Sequence, residues 1–305
     1  MASTDPTAED FVYDEFAYFH ENAEEAGLEW NGPPDVTRVE VGVSGARTVS
    51  ALRWGSDPIE VVLLHGTAQN AHTWDTVLLA LSRPALAIDL PGHGHSGWRD
   101  DFGYRPHQMA GDVAAVVDAL VDAPIVLVGM SLGGATANAL TARRPDLVRR
   151  MIAVDITPDP RPEDAKDIRD FIAGPQTFPS FAEILERTVR YNPTRSESSL
   201  RRGIVHNAFR NSDGAWQWRY DRRDRSDAPA VERPDAWDEL GSIISPYLLA
   251  RGGAEGSMVR DEGVEELHRR LPGAEVVTVD GAGHSIQGDR PLELAALVER
   301  FGFEN

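Results

Sequence analysis

A short glycine-rich motif constrains the fold of this chain more than any other feature. Residues 129–134 read Gly-Met-Ser-Leu-Gly-Gly, after an apolar stretch at 124–128 and before a helix-forming stretch at 135–144. A strand, Gly-x-Ser-x-Gly and a helix in this order predict a nucleophile elbow, in which a tight turn lifts a serine hydroxyl above the sheet. The serine backbone is strained there, and small neighbours let strand and helix approach closely. Ser131 is therefore the candidate nucleophile, and the Leu132 N–H lies at a helix N-terminus, where an oxyanion would form.

Eight apolar segments predict the strands of one sheet. The first two resemble an antiparallel hairpin, and the others are short, nearly continuous apolar runs separated by helical stretches. Such runs are typical of a parallel sheet covered on both faces. We therefore expect an α/β fold with a mostly parallel eight-stranded sheet flanked by helices. The predicted strands are residues 35–43, 48–54, 60–65, 85–90, 124–130, 151–155, 246–251 and 275–279.

Two segments fall outside this pattern. Apolar residues spaced along one face predict an amphipathic helix over residues 7–28, so residues 1–34 are assigned to an N-terminal helical extension. Residues 157–241 contain helical pieces and no clear strand, and a loop of this length without a role is uncommon. We assign 157–241 to a helical cap over the site, and 35–156 with 242–305 to the core.

A serine hydroxyl needs a base, and the base needs an orienting acid. His284 lies between the last predicted strand and the last helix, at the sheet edge that also carries Ser131. Two carboxylates follow strands at this edge, Asp155 and Glu255. Asp155 is favoured because it follows the strand next to the elbow and has apolar neighbours, which suit a buried carboxylate. Glu255 remains the alternative, since either acid precedes His284.

Further positions around the serine have candidate roles. Gly66 allows the loop after the third strand to turn, so that the Thr67 N–H can supply the second oxyanion donor. Met130, Trp216 and Trp218 are candidate substrate contacts, although the two tryptophans can equally pin the cap to the core. His65 is expected to be structural, and the run 89–96 with its two histidines is expected to be a turn.

Composition excludes several classes of function. The chain has 305 residues and no cysteine, which excludes disulfides, thiolate metal sites and a cysteine nucleophile. The net charge of −19 disfavours nucleic acid and anionic membrane surfaces as partners. No apolar run approaches the length of a membrane span and no signal peptide is visible. We expect a cytoplasmic monomer or homodimer that acts on a small molecule without a metal or cofactor.

These motifs together resemble the α/β-hydrolase fold superfamily, from about residue 36 to 303. The resemblance rests on His65-Gly66, residues 89–94, the elbow at 129–134 and Gly283-His284. It implies a triad of Ser131, His284 and an acid, an oxyanion hole from Leu132 and Thr67, and a helical cap. In many members the acid follows the seventh strand, where Glu255 stands; in a subset of bacterial esterases it follows the sixth, as Asp155 does.

The sequence therefore predicts a serine hydrolase that cleaves a small carboxylic ester, thioester or lactone through an acyl-enzyme. Three alternatives remain. A C–C bond hydrolase of aromatic ring-cleavage products would need Arg219 or Arg251 to face Ser131. A lyase on the same scaffold would consume no water. A ligand receptor would bind a small molecule with negligible turnover.

Overall fold

The structure is a computed structural model that describes residues 3–8, 10–158, 160–161, 163–164, 166–193, 195–223 and 234–304. Eight strands form one sheet in the order β1-β2-β4-β3-β5-β6-β10-β11. β1 and β2 form an antiparallel hairpin, β2 pairs antiparallel with β4, and the remaining pairs are parallel. The expected α/β architecture is confirmed. The strands are β1 Val36–Val43, β2 Arg47–Trp54, β3 Val61–Leu64, β4 Ala85–Ile88, β5 Ile125–Met130, β6 Val148–Val154, β10 Tyr247–Gly252 and β11 Glu275–Val279.

Helices cover both faces of the sheet, because successive residues of each buried strand point to opposite faces. The helices packed around the sheet are α2 Asp75–Leu81, which follows a 3-10 turn at Ala71–Trp74, α3 Pro106–Leu120, α4 Leu132–Arg143, α9 Asp261–Arg270, α10 Ile286–Asp289 and α11 Pro291–Phe303. Val62 and Leu64 of β3 join the apolar cluster beneath α3, α4 and α9, whereas Val61 and Leu63 join the cluster beneath α2 and α11. In the part of the chain that the structure describes, every helix is too short or too polar to span a lipid bilayer.

The segment between β6 and β10 has its own small core. Its first three helices pack with a three-stranded antiparallel sheet, whereas its last helix packs against α4 and α9 of the main domain. The expectation of no strand in this segment was wrong, because the strands have only two or three residues each and are too short to show an alternating pattern. The elements are α5 Lys166–Ile172, β7 Thr177–Phe178, α6 Phe181–Tyr191, α7 Glu197–Asn207, β8 Ala208–Arg210, β9 Trp216–Trp218 and α8 Ala236–Gly241.

The N-terminal helix is shorter than expected. The sequence predicts a helix over residues 7–28, but the structure has only α1, Phe19–Ala26. The Asp14 carboxylate accepts a hydrogen bond from the Phe16 N–H, a local bond that competes with helix formation. Of the predicted apolar face, Val12 is 56% and Phe16 is 37% exposed, whereas Phe19 and Ala23 in α1 are buried, so only the second half of that face packs against the protein. Residues 10–18, which we call the strap, are instead irregular in structure. Their side chains contact both the core and the inserted segment.

Candidate active site

The loop between β5 and α4 forms the predicted elbow. Ser131 has φ 50° and ψ −116°, a conformation that costs energy for any residue with a side chain. The glycines around it are required by close approach: an added Cβ on Gly133 would lie 2.2 Å from the Leu64 carbonyl oxygen, and one on Gly129 would lie 2.5 Å from the Gly133 carbonyl oxygen. The turn therefore sets α4 directly against the end of β3 and presents a half-buried Ser131.

Asp155 and His284 come together at the same edge of the sheet. The Nδ1 atom of His284 lies 2.9 Å from the Oδ2 atom of Asp155. Because an ionised carboxylate only accepts hydrogen bonds, Nδ1 carries the proton and Nε2 has a free lone pair. Among the described residues, this buried Nε2 has no hydrogen-bond partner. His284 is thus oriented so that Nε2 can accept a proton, and hydrogen bonds from a serine to such a group often form only when substrate binds.

The Asp155 carboxylate is fully buried and has several donors. It accepts hydrogen bonds from the Gly252 N–H (2.8 Å), the Ser257 hydroxyl (2.6 Å) and the Met258 N–H (2.8 Å), besides that from His284. These partners satisfy the buried carboxylate and hold it in position. The backbone of Asp155 has a positive φ of 47°, a conformation that aspartate tolerates better than most residues.

Glu255 lies elsewhere. Its side chain is exposed in the loop after β10, although the Glu255 carbonyl oxygen passes within 3.3 Å of where a Cβ on Gly283 would be. The same loop contributes Ser257, which sequence reasoning missed. Its role depends on a contact across 102 positions of the chain, and no local pattern signals such a contact.

The loop after β3 lies beside Ser131. An added Cβ on Gly66 would meet the Met130 sulfur at 2.5 Å and the Ser131 Cβ at 3.4 Å, so this loop packs directly over the elbow. Thr67 is exposed next to it. Leu132 is the first residue of α4, and a first-turn N–H has no acceptor within its own helix. The two predicted oxyanion donors thus belong to neighbouring segments at the Ser131 end of the sheet.

Side chains fix the conformation of this loop. The His65 ring bonds the Gly66 carbonyl through Nδ1 (2.8 Å) and accepts the Leu90 N–H at Nε2 (2.9 Å). Burial lowers the pKa of His65, so the ring stays neutral, in keeping with the expected structural role. Ala68 has a positive φ of 59°, and its carbonyl accepts a 2.6 Å hydrogen bond from the side-chain amide of Asn207 at the end of α7. Sequence reasoning missed Asn207, which lies 139 positions away.

The expected substrate contacts are packed residues in this structure. Trp216 and Trp218 are 1% and 2% exposed, within the apolar cluster of the inserted segment. Trp216 contacts the rings of Phe11 and Phe181, at centroid distances of 5.5 and 5.0 Å. Met130 is 2% exposed beneath the loop at Gly66. All three side chains have structural contacts, and their contact with substrate stays a prediction.

This chain is similar to known proteins in both sequence and structure. Residues 61–297 match the family described as the alpha/beta hydrolase family, and the chain belongs to that family. It is an α/β-hydrolase enzyme. It is similar to esterase Rv0045c from Mycobacterium tuberculosis, with 44% identity over 93% of this chain and 94% of the relative. A solved structure of that esterase has a TM-score of 0.82, covering 94% of this chain and 97% of the other.

A second relative is the pimeloyl-[acyl-carrier protein] methyl ester esterase of Neisseria meningitidis. It is 30% identical over 79% of this chain and 92% of the relative. Both relatives are named as esterases, and in both the likeness extends over most of each chain.

Proposed function

We propose that this chain hydrolyses small carboxylic esters through an acyl-enzyme formed on Ser131. The observation that carries the proposal is the 2.9 Å contact between His284 Nδ1 and Asp155, at the sheet edge where the strained elbow presents Ser131. This contact leaves the lone pair of His284 Nε2 available for the serine proton. The similarity to two named esterases supports an ester as the substrate.

The proposed reaction has two halves. The Ser131 hydroxyl oxygen attacks the ester carbonyl carbon while His284 Nε2 takes the hydroxyl proton, and Asp155 stabilises the imidazolium. The N–H groups of Leu132 and Thr67 bind the oxyanion, where one such donor typically contributes roughly 10²–10³-fold in rate. The alcohol leaves with the proton from His284. Water, deprotonated by His284, then attacks the acyl carbon and releases the acid and free Ser131.

Thioesters and lactones fit the same proposal, because they also have an acyl carbon that serine attacks and a leaving group that His284 protonates. We propose that residues 157–241 act as the cap that bounds the substrate, and that residues 1–34 are the extension that holds the cap. The hydrogen bond from the Asn207 amide to the Ala68 carbonyl supports this assignment. It joins the cap directly to the loop after β3 at residues 65–70, which contains Thr67 and which we call the oxyanion loop. Within the cap, residues 224–233 lie outside the described residues.

The arginines required by the C–C hydrolase alternative have other partners. The guanidinium of Arg251 pairs with Asp261 at 2.5 Å, and that of Arg219 lies over the rings of Tyr13 and Phe209, at 5.5 and 5.3 Å. These contacts give no support for an acidic substrate group held by either side chain. The lyase alternative differs from ester hydrolysis in its products, and the receptor alternative differs in its negligible turnover.

The test is turnover of p-nitrophenyl esters of increasing acyl length, with the product acid analysed by mass spectrometry after reaction in heavy-oxygen water. We expect hydrolysis by the wild type, one heavy oxygen in the product acid, and loss of turnover in Ser131→Ala. The exposed Ser56 supplies a matched control, since Ser56→Ala removes the same group away from the site. Turnover that persists in Ser131→Ala, or an acid without heavy oxygen, would refute the acyl-enzyme.

A further inference from the structure

A second polar cluster lies apart from the catalytic residues. It consists of His72 in the turn before α2, Asp75 at the start of α2 and His206 near the end of α7, and we call it the His72–His206 cluster. The three residues are 9%, 2% and 3% exposed. The two imidazole rings stack with centroids 3.7 Å apart and planes 13° from parallel. Burying two imidazoles and a carboxylate together is costly unless each polar atom has a partner.

Two atoms of this cluster lack such a partner. One potential ligand atom from each residue lies within 4.8 Å of the other two. Within the described part of the chain, Asp75 Oδ1 and His206 Nε2 are both buried and accept or donate no hydrogen bond. An unpaired buried polar group typically costs about 1–3 kcal/mol. These two atoms therefore call for an occupant that accepts electron pairs from nitrogen and oxygen together.

Inside the cluster, His72 Nδ1 lies 2.9 Å from Asp75 Oδ2, and the proton between them is the one that a metal ion would replace. The other nitrogen of each ring is held from outside the cluster. His72 Nε2 lies 3.0 Å from the Glu15 carboxylate, and His206 Nδ1 lies 2.9 Å from the Tyr13 hydroxyl. Histidines that bind metals usually have their second nitrogen fixed in this way by a carboxylate or another polar group, which sets the ring orientation. The strap before α1 thus supplies the outer partners of both rings.

The charges also suit a cation. The carboxylates of Asp75 and Glu15 lie against the two nitrogens of the His72 ring. The carboxylates that stabilise a proton on this ring would equally stabilise a metal ion in its place.

We propose that His72, Asp75 and His206 form a binding site for one transition-metal dication. The ligands are His72 Nδ1, which gives up its proton to solvent, a carboxylate oxygen of Asp75 and His206 Nε2. Two imidazoles and one carboxylate suit Zn²⁺, Co²⁺ or Ni²⁺, whereas Mg²⁺ and Ca²⁺ prefer oxygen ligands alone. Since the lone pairs of stacked rings point side by side, one ring turns on binding about its outer contact with Glu15 or Tyr13 until both nitrogens face the ion.

This proposal departs from the sequence expectation of no metal. That expectation concerned cysteines and the histidines of residues 89–96, whereas this cluster joins His72 and Asp75 to His206 of the inserted segment. The site is also separate from the catalytic histidine, His284. It does not depend on the proposed ester hydrolysis, because its test measures binding of the metal alone.

The experiment uses the full chain, prepared metal-free and without a histidine tag. Isothermal titration with Co²⁺ should show one equivalent bound to the wild type, together with visible absorption bands from the bound ion, and Mg²⁺ should not compete. His206→Gln and Asp75→Asn should each raise the Kd for Co²⁺ by at least about a hundredfold. The exposed His268 gives the matched control His268→Gln, which should bind as the wild type does.

His284→Ala should also bind Co²⁺ as the wild type does, because the catalytic histidine is not a ligand. Circular dichroism would show that each variant is folded, and His206→Gln provides the test if Asp75→Asn does not fold. The proposal is overturned if the wild type fails to bind Co²⁺, if binding survives in both cluster variants, or if it is lost in His284→Ala.

Discussion

Replacing Asp155 by asparagine tests the assignment of the acid most sharply. Asparagine has nearly the same shape and also tolerates the positive φ of 47°, so the backbone is not strained further. The change replaces one acceptor oxygen by an NH₂ group, which only donates. Both carboxylate oxygens now accept bonds: Oδ1 from Gly252 N and the Ser257 hydroxyl, and Oδ2 from Met258 N and His284 Nδ1. Either amide orientation therefore sets a donor against a backbone N–H.

The two orientations differ in their effect on the base. With NH₂ towards His284, the imidazole must accept at Nδ1, so Nε2 carries the proton and cannot take one from Ser131. With NH₂ towards Gly252, the tautomer is kept, but the imidazolium loses its stabilising charge. The equivalent change in a serine protease lowers kcat about 10⁴-fold, or about 5 kcal/mol in the barrier. The buried donor–donor contact should also cost about 1–3 kcal/mol of folding free energy.

The assay compares kcat for a p-nitrophenyl ester between wild type, Asp155→Asn and Glu255→Gln, with urea unfolding of each. We expect a loss of about 10³–10⁴-fold in Asp155→Asn. Because Glu255 is exposed, Glu255→Gln should stay within about twofold of wild type. If Asp155→Asn keeps a kcat within tenfold of wild type while Glu255→Gln loses most of its activity, the assignment of the acid is wrong.

Three further predictions concern the packing around the site. Gly133→Ala puts a Cβ 2.2 Å from the Leu64 carbonyl oxygen and should lower the free energy of unfolding in urea by about 1–3 kcal/mol or more. The control Gly111→Ala in α3, with no atom within 4 Å of the added Cβ, should raise it by up to about 1 kcal/mol. Equal effects of the two changes would contradict the elbow packing. Asn207→Ala removes the bond that holds the oxyanion loop and should lower kcat about tenfold; an effect on KM alone would argue against that role. Trp216→Ala should destabilise the inserted segment by about 3–5 kcal/mol, seen as faster limited proteolysis within it, and unchanged cleavage would contradict its packing role.

The fold and the elbow were predictable because their signals are local. Each core strand is a short apolar run, and the glycines of residues 129–134 report a close approach that the structure contains. The helix predicted for the N-terminal segment was wrong for a physical reason. Its apolar spacing fits a helix over residues 7–28, but Tyr13 and Glu15 make side-chain contacts with His206 and His72, and those long-range bonds outweigh local helix propensity.

The site was predictable only in part. Chain order and strand ends bring Asp155, Glu255 and His284 to one edge of the sheet, but they do not say which carboxylate meets the imidazole. In the structure that contact belongs to Asp155, because the loop after β10 exposes Glu255 and directs Ser257 and the Met258 N–H inward. Such choices depend on side chains more than 100 positions apart, and periodicity carries no information about them.

The measurement that tests the central claim most directly is intact mass after exposure to a fluorophosphonate, which labels an activated serine covalently. We predict a single adduct on the wild type and on Ser56→Ala, no adduct on Ser131→Ala, and much slower labelling of Asp155→Asn. A folded wild type that stays unlabelled, or a Ser131→Ala variant that gains the same adduct, would contradict the claim that Ser131 is the nucleophile.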